Sequence, residues 1–151
     1  MEKSSHKKTV KIIALVCIVI VAAVIAGYYL IPVSVLPTKY SKIECRQVRY
    51  NGTTYQSDEG FPTEEQSAKI EEILKGYKMK HTTEAVTVDE DFELYIALIC
   101  YDENGAVVDS RGISLGSDKT AKVRSRPFID SYSRIENGDE LYSELIGILG
   151  F

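Results

Sequence analysis

Phe92-Glu93-Leu94-Tyr95-Ile96-Ala97-Leu98-Ile99-Cys100-Tyr101 is the stretch on which the fold of this chain turns. In an extended backbone Phe92, Leu94, Ile96, Leu98 and Cys100 share one face, while Tyr95, Ala97, Ile99 and Tyr101 share the other. Apolar residues on both faces describe a strand with neighbours on either side and cover above and below, hence a central strand.

Reading outward from it, Asp102-Glu103-Asn104-Gly105 has the chemistry of a hairpin loop and leads into a strand from about Ala106 to Leu115. Gly116-Ser117-Asp118 turns the chain into another strand over Thr120 to Arg124, an antiparallel meander. Pro127 interrupts the pattern, Phe128 to Ile135 has the composition of a further edge strand, and Asn137-Gly138-Asp139 introduces a helix that aligns Leu141, Leu145, Ile148 and Leu149. On the N-terminal side, residues 82 to 88 alternate weakly as a strand before the acidic Asp89-Glu90-Asp91. Pro62-Thr63-Glu64-Glu65-Gln66 carries the reciprocal cap of a helix start, and Ile70, Ile73, Leu74 and Tyr77 then recur at helical spacing up to Gly76. Residues 42 to 50 and 53 to 56 flank Asn51-Gly52, the dipeptide that best accepts the positive φ angles of a tight hairpin. A phase shift between Cys45 and Val48 places a bulge near Arg46 and Gln47. The expected order is ββ-α-ββββ-α, an α+β domain over residues 41 to 151 with a mainly antiparallel sheet and two helices.

Ahead of that domain the character of the chain changes. Residues 12 to 38 lack any charge, and Ile12 to Leu30 is nearly unbroken Ile, Val, Ala and Leu. As a helix that run is about 28 Å long, the thickness of a hydrocarbon core. Lys3, Lys7, Lys8 and Lys11 precede it and Tyr28 and Tyr29 sit at its far end, so the reading is a single-pass segment with a basic cytoplasmic tail (1 to 11) and the domain outside. A cleavable signal peptide is the competing reading, with Val24 and Ala26 as its small-residue site; the apolar run continues past Ala26 through Ile31, which favours an uncleaved anchor. Residues 31 to 40, with Pro32 and Pro37, read as an extended spacer.

The chain of 151 residues has a net charge of −4, with 44% hydrophobic and 26% charged residues, the proportions of a foldable domain. The tail holds +3, leaving −7 for the rest, a balance that argues against a nucleic-acid partner. Cys45 and Cys100 lie in strands of the outer domain, and two alternatives stand open for them: a disulfide, permitted outside the cytoplasm, or two buried thiols.

Residues fit for catalysis are few. His81 is the sole histidine outside the tail, beside Lys75, Lys78 and Lys80, where a basic patch for phosphate or an anionic polymer competes with a solvated helix end. Two thiols and one histidine do not make a zinc site, and the acidic run 89 to 93 lacks the glycine of a calcium loop. Gly112-Ile113-Ser114-Leu115-Gly116 fits the pattern of a nucleophile elbow, but it falls in an antiparallel strand with no histidine to activate the serine. Carboxylate pairs remain an alternative that depends on the fold. Tyr95, Tyr101, Tyr132 and Tyr142 are suited either to core edges or to ligand contact. No catalytic residue, cofactor or metal is expected.

Lys42-Ile43, the Asn51-Gly52 hairpin, Thr63-Glu64-Glu65-Gln66 followed by Lys69-Ile70, and the Gly105 hairpin together resemble small membrane-tethered domains of Gram-positive cell envelopes, families largely of unknown function. The resemblance implies extracytoplasmic placement and carries no site across. The leading expectation is a non-enzymatic, membrane-anchored binding module for an envelope protein or wall-associated partner. A carboxylate-dependent envelope hydrolase or transferase is one alternative. The other is a regulatory membrane subunit acting through helix contacts at the small-residue face formed by Ala22, Ala23, Ala26 and Gly27.

Overall fold

The computed structural model describes residues 2–82, 92–116, 121–126 and 131–151, with side chains from Val10 onward except at 121, 122, 124–126, 131 and 132. The chain divides into two compact units, Met1–Ile31 and Pro32–Phe151. The first is one helix, α1 (Glu2–Leu30), whose Val10–Leu30 portion is long and apolar enough to cross a membrane. α1 also takes in the basic residues of the tail from Glu2 onward.

The second unit is an α+β domain whose described residues form one antiparallel sheet of eight strands: β1 (Val33–Ser34), β2 (Lys42–Tyr50), β3 (Thr53–Gln56), β4 (Lys78–Thr82), β5 (Phe92–Tyr101), β6 (Val107–Gly116), β7 (Ala121–Arg126) and β8 (Ser131–Ile135). Their spatial order is β1-β4-β8-β7-β6-β5-β2-β3. β5 lies inside the sheet, between β2 and β6, and Leu94, Ile96, Leu98 and Cys100 are buried on one face while the intervening residues stay partly exposed. Asn51 and Gly52 take φ 47° and 80° in the first hairpin, and the register of β2 on β5 slips between Cys45 and Gln47, where the bulge was expected.

Two helices, α2 (Glu64–Gly76) and α3 (Gly138–Leu149), pack on each other and on the buried face. Thr63 and Gln66 form the full capping box, each side chain bonding the other's backbone N–H at 2.9 and 3.1 Å. Ile70 and Leu74 of α2, with Leu141, Leu145 and Leu149 of α3, meet Val48, Leu94, Ile96, Ile113, Leu115 and Val123 of the sheet in one core. Phe151, just past α3, stacks on Tyr50 at 4.3 Å and also meets Tyr55 and Phe61, which ties the end of α3 to the first hairpin.

Three expectations need correction. Residues 31 to 40 are not a free spacer along their length: Val33 and Ser34 pair with Met79 and Lys78 of β4, and Val35 and Leu36 are buried, a burial that stabilises each by about 1.5–3 kcal/mol. Only Ile31 and Pro32 separate α1 from the sheet. Second, Lys78–Thr82 forms a strand where the sequence reads as a helix end; the weaker alternation at 83 to 88 and the acidic run 89 to 91 lie outside the described residues. Third, β8 is an interior strand, paired with β7 and β4, and not an edge.

Candidate functional site

Cys45 pairs with Leu98 and Cys100 with Ile43 on adjacent strands, so the two cysteines sit on a diagonal. Diagonal partners lie about 7–8 Å apart, whereas a disulfide needs Cβ atoms about 4 Å apart. In this structure both are unbridged and fully buried, an environment in which a thiol packs as a small hydrophobe. Burial pushes the Cys45 thiol up to about 12 and the Cys100 thiol up to about 11, the latter aided by the nearby Asp109 carboxylate.

The expected basic patch does not assemble. Lys75 ends α2 in a 2.7 Å bond to Glu71, and Lys80 bonds Glu136 at 2.6 Å. His81 alternates with Lys78 and Lys80 and so belongs to the opposite face of β4, where its Nδ1 lies 2.9 Å from Ser133 Oγ. Burial, then the charge of Arg111, lowers its pKa from the usual histidine value.

His81 borders a polar cluster that sequence reasoning missed. Asp109 and Arg111 stand two apart on the helix-covered face of β6 and form an ion pair at 2.8 Å, each side chain about one-tenth exposed. Arg111 also donates to the Ser34 carbonyl at 3.5 Å, while Asp109 Oδ1 is buried without a hydrogen-bond partner. The available signal was a charged D-x-R pair at period two, on the strand face that also carries Val107, Ile113 and Leu115. The pair shapes the end of the core next to Cys100; it presents no nucleophile to an open cavity.

Two clefts flank α2. The larger, about 910 Å³, opens between the first hairpin and the N-terminal half of the helix and is lined by Lys42, Glu44, Arg46, Ser57, Thr63 and Glu71 among others, with no histidine or thiol. Its mixed charges and hydroxyls suit hydrogen bonding to a polar partner. The smaller, about 530 Å³, holds Glu72, Glu136, Glu140 and Glu144, with Tyr77 donating to Glu144 at 3.2 Å. That carboxylate and burial raise the Tyr77 phenol to about 12, burial being the larger cause. Among the described residues no group of three or more acidic, histidine or cysteine side chains is arranged to hold a metal.

Ser114 of the Gly-x-Ser-x-Gly pattern lies in mid-strand opposite Tyr95 and Lys122, so the strand-to-helix turn of a nucleophile elbow is not there. Gly112 has a packing role instead: a Cβ at that position would meet Tyr95 Oη at 2.9 Å and its ring at 3.0 Å. The ring lies across the glycine, with the Arg49 guanidinium 6.0 Å from its centroid. Tyr101 bonds Glu44 at 3.0 Å on the same helix-free face. Both tyrosines are core-edge residues on a face that no described helix covers. No protein-family model, curated protein or solved structure matches the chain.

Proposed function

We propose that this chain is a single-pass envelope protein, its N-terminus in the cytoplasm and its α+β domain outside, acting as a non-enzymatic binding module for a protein or wall-associated partner at the membrane surface. The observation that carries this reading is the tether. α1 ends at Leu30 and the sheet begins at Val33, so the domain's first strand lies within about 11 Å of the helix end. So short a tether keeps the domain close to the membrane that anchors it, and its polar cleft beside α2 offers the recognition surface.

A photo-crosslinking residue at Gln56 or Asp58, which border that cleft, tests this in intact cells expressing the full chain. A discrete adduct is expected, and its yield should fall when a long flexible insert separates Leu30 from Val33. Absence of any discrete adduct from either position, or a yield indifferent to the insert, defeats the reading.

A further inference from the structure

The chain passes from α1 into the domain through Ile31, Pro32 and then β1. A pull between the membrane anchor and a partner held by the domain therefore crosses β1 before it reaches any longer strand. Residues 33–40 are attached unevenly along that path. β1 pairs with β4 at two positions, Val33 with Met79 and Ser34 with Lys78. The hydrogen bonds around it are long: Val35 N–H to the Tyr77 carbonyl at 3.3 Å, Leu36 N–H to Ser34 Oγ at 3.3 Å, and Arg111 Nη1 to the Ser34 carbonyl at 3.5 Å. The usual N–H···O distance is about 2.9–3.0 Å. At the far end Ser41 is held tightly, its N–H on the Tyr101 carbonyl at 2.8 Å and its hydroxyl on the Asp102 carbonyl at 2.7 Å.

The rest of the sheet does not depend on β1. It is the terminal strand in the spatial order, and the other seven stay paired with one another if it leaves. Burial of Val35 and Leu36 is what seats it, so the docked form dominates at rest. An edge strand with two pairs nonetheless opens locally at a lower free energy than the interior strands, whose opening breaks the core.

We infer that residues 33–40 are a releasable strap between the anchor and the domain. Docked, the strap leaves Ile31 and Pro32 as the tether. Released, the tether becomes the ten residues 31–40, about 35 Å when extended, with Ser41 as the new point of attachment. The domain then reaches about 25 Å farther from the end of α1 than the 11 Å or so that the docked strap allows. Tension favours the released form because release lengthens the chain along the pull. A domain gripping a wall-associated partner can thus yield without unfolding. This inference rests on the membrane-anchored reading above.

Amide hydrogen exchange of the full chain in nanodiscs, read by mass spectrometry on peptides from residues 32–38 and from β5, tests it. The strap should exchange about 100-fold faster than β5, yet well below the rate of an unstructured peptide. S34C/K78C supplies a lock. Ser34 and Lys78 are directly opposite, and because Val35 N–H bonds the Tyr77 carbonyl they form a non-hydrogen-bonded pair, with Cα atoms about 4.5 Å apart. A disulfide spans that distance. The oxidised bridge, confirmed by intact mass, should slow the strap toward the rate of β5, and reduction should reverse this, with β5 itself unchanged. Leu36→Ala should speed the strap about ten-fold or more. Equal exchange in the strap and β5, strap exchange as fast as in an unstructured peptide, or indifference to the bridge each overturns the inference. The wild-type comparison stands if a variant fails to fold. Failure of the chain to enter discs refutes the anchored reading instead, and the same comparison is then made on the free chain.

Discussion

Arg111→Met leaves the Asp109 carboxylate buried beside an apolar chain of similar length, and the structure sets the size of the effect. The two side chains are about one-tenth exposed and 2.8 Å apart, and Asp109 Oδ1 already lacks a hydrogen-bond partner, so the guanidinium is the main group offsetting the desolvated charge. Removing one partner of a buried pair costs about 3–5 kcal/mol. For a domain of this size each kcal/mol moves Tm by about 4 °C, so the variant should melt about 12–20 °C below the parent. Replacing both residues, as in Asp109→Leu with Arg111→Met, removes the stranded charge, and such exchanges are often neutral or stabilising. The double variant should therefore recover most of the loss. Thermal unfolding of the full chain in micelles, followed by near-ultraviolet circular dichroism of its tyrosines, measures both. A single variant within 3 °C of the parent would mean water already solvates the pair; a double variant no better than the single would show that packing, not charge, sets the cost.

Gly112→Ala should destabilise by about 1–3 kcal/mol because the new methyl collides with the Tyr95 ring; the same change in a Tyr95→Ala background should cost much less, which chemical denaturation can compare. Cys45 and Cys100, buried and with raised pKa values, should resist iodoacetamide at pH 8 in the folded chain and react once it is denatured, as mass spectrometry of digests would show; rapid labelling of either thiol without unfolding contradicts their burial. His81 has a folded pKa below its unfolded value of 6.5, so the unfolded chain binds the extra proton first, and stability should fall as pH drops through 6.5 and level off below the folded pKa. His81→Gln should flatten that part of a stability-against-pH curve, and an unchanged slope would assign it to other groups.

Local chemistry made much of this protein legible from its sequence. The uninterrupted apolar run of α1, the alternation of β5, the Asn51-Gly52 turn, the bulge after Cys45 and the Thr63–Gln66 cap each depend on residues close together in the chain, and each stands where the sequence placed it. What tertiary structure alone decided is who pairs with whom. Val33 and Ser34 join the sheet because β4 offers an edge at Lys78 and Met79, far along the chain, and this turns an apparent spacer into a short tether. Cys45 and Cys100 share a face yet miss each other because register places them on a diagonal. Lys78 and Lys80 part from Lys75 and His81 and join Arg134 and Lys122 because β4 runs beside β8. Alternation along one strand says which side a residue takes; only the hydrogen-bonded register between strands, set by packing the whole core at once, says which charges become neighbours.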